Sequence, residues 1–208
     1  RRIHPLLAVR GVPGTHDIKL GTTLIRQLIG AAADEVTAIP VFDKGMDDRL
    51  PEAQWQRIRG KPAVIIVEGW CVGARAEEEG ALAEPINDLE RSDDPDGIWR
   101  GYVNRQLATV YQEFFALLDL LIFMPVPRWE LVYEWRLLQE QQLLAHRLEQ
   151  GMDVAQVMSP AQIARFIQFY ERGTRHCLGE MADRADYVIG LGEDHRLSNI
   201  SGLSTQPF

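Results

Sequence analysis

Four short apolar runs, at residues 36–42, 63–70, 118–124 and 185–191, constrain the fold more than any other feature of this sequence. Each is of strand length, and the second and third are nearly unbroken hydrophobes, as strands covered on both faces are. Stretches with apolar steps of three and four lie between them. Leu20, Leu24, Ile25, Leu28 and Ile29 form one stripe; Val103, Leu107, Val110, Phe114 and Leu117 form another. Residues 129–144 carry a broad apolar face, and Ile163, Phe166, Ile167 and Tyr170 repeat the pattern. Ser159 and Pro160 give this last helix an N-cap and a first-turn proline. Alternating strand and helix predict an α/β fold, a doubly wound parallel sheet with helices on both faces. A single domain is expected over residues 1–197. Residues 198–208 have no periodicity and read as a tail.

The charge balance narrows the partners. Lys and Arg number 22 against 30 Asp and Glu, a net charge of −8. That sign opposes nucleic acid, whose phosphates need a dense cationic surface. A small anionic ligand needs only a few arginines in a cleft. No run is long enough to span a membrane, and no signal peptide opens the sequence. The two cysteines, Cys71 and Cys177, lack metal-ligand spacing and read as free thiols of a reducing compartment. The expectation is a cytoplasmic protein that acts on a small molecule, with no nucleic acid and no membrane among its partners. A homo-oligomer is left open.

Five stretches could carry chemistry, each against a plainer reading. In residues 63–70 four hydrophobes end in Glu68-Gly69-Trp70. Ligands collect at the carboxyl ends of strands in such sheets, and an acid there can hold Mg²⁺, or merely cap a turn. Arg10-Gly11-Val12-Pro13-Gly14-Thr15-His16-Asp17 is a rigid loop before a helix whose N-terminus favours anions; alternatively it is an ordinary capped loop. Asp43-Lys44-Gly45 follows a strand and suits a substrate loop or a solvated turn. Arg128, Arg136 and Arg147 follow residues 118–124; arginines offset charge in phosphoryl transfer, yet Arg136 and Glu140 are spaced to pair on a helix. Asn104 and Tyr111, seven apart, share a face and either touch substrate or satisfy a half-buried position. Arg165, Arg172 and Arg175 read as a solvated face. The five histidines are scattered, which gives a metal-hydrolase site little support.

In order, Arg10 to Asp17, Asp43-Lys44, Val67-Glu68-Gly69-Trp70, Trp135-Arg136-Leu137 with Gln139-Glu140, and Ala185-Asp186-Tyr187-Val188-Ile189 resemble the D-glycerate 3-kinase-like family. That family belongs with the uridine kinase and phosphoribulokinase group of P-loop kinases. The resemblance runs from about His4 to Arg196. It implies ATP- and Mg²⁺-dependent phosphorylation of a small hydroxy compound, D-glycerate or a similar hydroxy acid. A nucleoside, pantothenate or a sugar is the alternative acceptor, and a non-catalytic nucleotide-binding or interaction protein without a phosphate loop the alternative of another class. It implies Glu68 at the metal and phosphates, and Arg128 and Arg136 as catalytic arginines on a lid over about 127–158. It puts Arg10, His16, Asp17, Asp43 and Lys44 on the acceptor side; Asn104, from its helix face, stays a candidate substrate contact beside them. Glu193, after Leu191, falls beside the nucleotide.

One part of the family pattern is absent from these residues. The lysines are Lys19, Lys44 and Lys61, and none closes a GxxxxGK[ST] loop: Gly60-Lys61 comes nearest, with Trp55 at the first glycine and Pro62 at the hydroxyl position. The expectation is a later portion of a longer chain, lacking the sheet's first strands and inactive alone. A sheet without its central strand would expose edges and apolar surface.

Overall fold

The computed structural model describes residues 3–46, 48–155 and 157–202. Helices and sheets are mixed, as an α/β fold requires. β1 (Val36–Ile39) and β4 (Gln56–Arg59) pair antiparallel, and between them β2 (Phe42–Asp43) pairs antiparallel with β3 (Asp48–Arg49). β5 (Ile122–Phe123) pairs parallel with β6 (Tyr187–Leu191), whose other edge takes β7 (Leu197–Gly202) antiparallel. The Asp186 carboxylate sets the β5–β6 register by accepting the Leu121 N–H at 2.7 Å, while Leu121 O accepts the Asp186 N–H at 2.9 Å.

Three strand expectations change. The run at 36–42 joins an antiparallel ribbon, because its connection to β4 holds a hairpin and a 3₁₀ turn and not the crossover that parallel strands need. Residues 199–202, in the stretch expected as tail, find ladder partners on β6; 203–208 lie outside the described residues. Residues 63–70 carry no strand, and Val64 and Ile66 stand 73% and 84% exposed. Apolar composition suits a segment to a sheet interior, but a ladder requires neighbours to bond with, and 63–70 has none among the described residues.

The helices are α1 (Ile18–Gly30), α2 (Asp88–Asp93), α3 (Ile98–Gln106), α4 (Gln112–Phe115), α5 (Glu130–Glu149) and α6 (Pro160–Glu180). α6 starts where its sequence says it should. Ser159 Oγ accepts the Gln162 N–H, and Gln162 Oε1 accepts the Ser159 N–H, a reciprocal capping box. Its apolar side then serves two core clusters. Phe169 packs with Leu6, Val12, Leu89 and Trp99; Cys177 packs with Cys71, Ala74, Leu107, Tyr111 and Met181. A π-helical turn, Leu107–Tyr111, joins α3 to α4. Here Leu107 and Tyr111 are buried while Val110, expected in the apolar stripe, is exposed.

The polar side of α6 is solvated at Arg165 and Arg175, as expected, but not at Arg172. Arg172 is only 11% exposed and grips Glu90, itself fully buried, through Nε at 2.7 Å and Nη2 at 2.6 Å. It also donates to Ala81 O and Glu84 O. Arg165 pairs with Asp93, and Arg175 with Glu171. Guanidinium geometry suits such multiple, in-plane contacts. Asp94, in an acidic cluster that reads as a loop, is buried too: it accepts the Trp99 and Arg100 N–H groups at the start of α3 and pairs with Arg100. Among the described residues, no helix is long and apolar enough to cross a membrane.

Candidate active site

The loop from Arg10 to Asp17 is rigid because its own groups and two distant tyrosines bind it. Thr15 Oγ1 accepts the Gly11 N–H at 3.0 Å and donates to Val12 O at 2.7 Å. Val12 is fully buried. Gly11 and Gly14 have φ of 113° and 94°, a region side chains avoid. Each also faces a ring: a Cβ on Gly11 would lie 2.7 Å from Tyr170 Oη, and one on Gly14 2.5 Å from Tyr102 Cε1. Tyr170 Oη donates to Arg10 O at 2.9 Å. Tyr111 Oη accepts the Gly14 N–H at 2.9 Å and sits 2.7 Å from His16 Nδ1. Burial raises the Tyr111 pKa to about 12 and lowers that of His16.

The neighbouring loop is drawn against this one. Asp17 caps α1 by accepting the Leu20 N–H at 3.1 Å, and its second oxygen pairs with Arg49 at 3.0 Å. The Arg10 guanidinium lies 4.7 Å from the centre of the Phe42 ring. Asp43 Oδ1 accepts the Gly45 and Met46 N–H groups, which shapes the turn that carries the exposed Lys44. Arg10, His16, Asp17, Asp43 and Lys44 therefore share one surface region.

Tyr170 connects that region to the end of residues 63–70. Its ring meets Trp70 edge-on at 5.0 Å and tilts against Phe166 at 5.1 Å. Trp70 Nε1 donates to Thr174 Oγ1 at 2.8 Å, which fastens the chain two residues past the exposed Glu68 to α6. Arg136 lies over the Phe166 ring at 5.8 Å and bonds Gln139 and the buried Glu140. Glu140 also accepts the Met158 N–H. Arg136 is thus held between α5 and α6.

Arg128 and Glu193 make a second cluster. Arg128 pairs with Glu193 at 3.1 Å and with Glu134 at 3.3 Å, and the bond to Glu193 raises its pKa. Trp135 Nε1 donates to Glu193 O at 3.0 Å, and its ring meets His195, which has φ 65°. Asn104 stands apart from both clusters. Its amide exchanges two bonds with the Glu77 backbone, 2.8 and 2.9 Å, which commits it to holding that connecting segment.

A hollow of about 40 Å³ lies behind Trp70. Cys71, Trp99, Asn104, Phe169, His176 and Cys177 line it, and Glu68, Arg10, Arg128 and Arg136 do not. Its setting is core, not the place for a transferring phosphoryl group. The Glu68 carboxylate is of the hard-oxygen kind that Mg²⁺ takes. Mg²⁺ commonly holds one or two carboxylates together with phosphates and water, so a single exposed carboxylate fits in kind. Among the described residues, no three His, Cys, Asp or Glu side chains converge to hold an ion by themselves.

Tyr170 entered the sequence reading only as part of an apolar helix face, and Tyr111 as a candidate substrate contact. Tyr111 is instead buried, bonded to the loop. No sequence signal joins residues 97 and 160 positions from their partners.

No family model matches the chain. It is 31% identical over 188 residues to an uncharacterized kinase, mug58, of Schizosaccharomyces pombe, covering 87% of this chain and 63% of that protein. It is 26% identical over 202 residues to the chloroplastic D-glycerate 3-kinase of Arabidopsis thaliana, covering 94% of this chain and 41% of that protein. The chain therefore spans less than two thirds of either relative. In fold it is similar to the solved D-glycerate 3-kinase of Cryptococcus neoformans, with a TM-score of 0.73 at 20% identity, covering 97% of this chain and 72% of that one.

Proposed function

The chain's relatives in sequence and fold support its place in the D-glycerate 3-kinase-like family, and on that premise we propose that the protein transfers the γ-phosphoryl group of ATP to a hydroxyl of D-glycerate or a similar hydroxy acid. The observation that carries the reading is the joint at Tyr170. One side chain ties the Arg10–Asp17 loop to Trp70 and so to the end of the segment bearing Glu68, with Arg136 stacked alongside. The candidate acceptor loop and the segment that bears Glu68 are thereby tied to one helix, α6.

In the proposed reaction the acceptor hydroxyl oxygen attacks the γ-phosphorus, the bond to the bridging β–γ oxygen breaks, and ADP leaves. The hydroxyl proton passes to a carboxylate base outside these residues. Mg²⁺, when bound, spreads charge over the phosphate oxygens. Glu68 would be its protein oxygen. Arg10 clamps the acceptor carboxylate, the fork geometry favouring it over Lys44. Arg128 is the arginine best suited to the moving phosphoryl group, since its partners Glu193 and Glu134 are exposed and exchangeable. Arg136 is anchored to a buried acid and serves to hold α5 on α6. Glu193 orders the nucleotide-side loop through Arg128 and Trp135.

The test is a coupled ADP-release assay on the longer protein with Mg-ATP and a panel of hydroxy acids, nucleosides, sugars and pantothenate. Turnover stimulated by D-glycerate or a close hydroxy acid is expected. Stimulation by a nucleoside, sugar or pantothenate alone moves the acceptor, and no stimulation by any member ends the kinase reading.

A further inference from the structure

His16 and Tyr111 carry more information than proximity. The Gly14 amide can only donate, so the Tyr111 oxygen accepts from it at 2.9 Å. The phenol has one hydrogen, and the ring nitrogen His16 Nδ1 lies 2.7 Å away. Donation of that hydrogen to a bare Nδ1 would satisfy both groups. The imidazole is then neutral, with its proton on Nε2 across the ring. Tyr111 is 1% exposed, whereas His16 reaches the surface of the Arg10–Asp17 loop. The inner edge of the ring is thus locked and the outer edge faces outward.

We propose that Tyr111 is a positioning residue that fixes His16 as the Nε2–H tautomer and presents this N–H as an oriented donor to an oxygen of the phosphoryl acceptor. The proposal deepens the kinase reading and rests on it for the identity of the ligand. A neutral N–H suits a hydroxyl or carboxylate oxygen and adds no charge to a region that already holds Arg10.

The surrounding groups support the assignment. Tyr111 keeps its phenolic proton at any working pH, because burial holds its pKa far above neutrality. Asp17, next in sequence, is offset by Arg49 and by its helix-capping bond, so it competes poorly for the imidazole. Tyr102, against Gly14, is the other titratable ring facing this turn. Protonating His16 at Nδ1 would put two donors on the Tyr111 oxygen and strand the phenolic hydrogen in the core. Tyr111 ends a π-helical turn, and such turns are frequent at functional sites.

The experiment combines tautomer and kinetics in the longer protein. Long-range ¹H–¹⁵N spectra of histidine-labelled protein should show His16 as the Nε2–H form, and Tyr111→Phe should bring in the other tautomer. An Nδ1–H form in the wild type overturns the proposal. With D-glycerate as acceptor, Tyr111→Phe should raise KM about tenfold, as loss of one oriented hydrogen bond does, with kcat within about twofold. His16→Gln, whose amide nitrogen mimics Nε2, should keep acceptor affinity better than His16→Asn, whose amide mimics Nδ1. These last two change an exposed side chain and do not depend on the core tolerating the loss of the Tyr111 hydroxyl. Equal losses from both, or an unchanged KM in Tyr111→Phe, overturn it. If no acceptor stimulates the wild type, the kinase reading falls, while the spectra still decide what Tyr111 does to His16.

Discussion

Replacing Arg172 by Met should unfold this protein more readily than any single surface change. Glu90 has no solvent exposure, and its two oxygens take Nε and Nη2 of Arg172 at 2.7 and 2.6 Å. Without the guanidinium, the carboxylate keeps only the Ile86 N–H, at 3.0 Å. Removing one partner of a buried ion pair costs about 3–5 kcal/mol, most of it the stranded charge. The lost bonds to Ala81 O and Glu84 O add little, because those carbonyls can be rehydrated. With a urea slope of about 2–3 kcal/mol per molar, the midpoint should fall by roughly 1–2.5 M. The assay is urea unfolding followed by circular dichroism and tryptophan fluorescence. Adding Glu90→Gln to Arg172→Met should recover part of the loss, since the stranded charge is then gone. A midpoint shift below about 0.3 M at an unchanged slope, or a double variant worse than the single one, would refute the reasoning.

Glu68→Gln should leave the unfolding curve unchanged, since the side chain is exposed, and lower turnover in the kinase assay about 10²-fold; normal turnover removes Glu68 from the site. Ser159→Ala should cost about 1 kcal/mol through loss of the α6 cap, read as a urea midpoint shift. Because burial depresses His16 below its ordinary 6.5, the unfolded chain binds the proton more tightly, so its contribution to stability is full above 6.5 and is lost as pH falls through the folded value. His16→Gln should flatten that part of the stability–pH curve. Burial also pushes the Cys71 and Cys177 thiols up to about 11 and about 12, so iodoacetamide at pH 8 should label neither in the native protein and both in urea.

Particular residues show how much of this was legible in advance. Ser159 and Pro160 announce the start of α6, and a helix cap needs only residues within one turn. Gly11, Pro13 and Gly14 announce a rigid loop, and the positive φ of both glycines follows from that local need. Arg172 is the counterexample. Helical spacing puts it on a polar face, but a face is solvated only if nothing covers it, and the segment from Ala81 to Glu90 does. Residues 63–70 have the composition of a buried strand, yet hydrogen-bonded pairing belongs to neighbours and not to the run itself.

Unaided, the order of amino acids determined the α/β alternation, the helix starts, the stiff glycine loop and the kinds of group available for phosphoryl chemistry. All of these depend on contacts between residues close in the chain. Tertiary structure alone decided that Tyr170 joins the loop to Trp70, that Arg128 meets Glu193, and that His16 faces Tyr111. The reason is physical: each depends on a contact between groups far apart in sequence, and only packing brings such groups together.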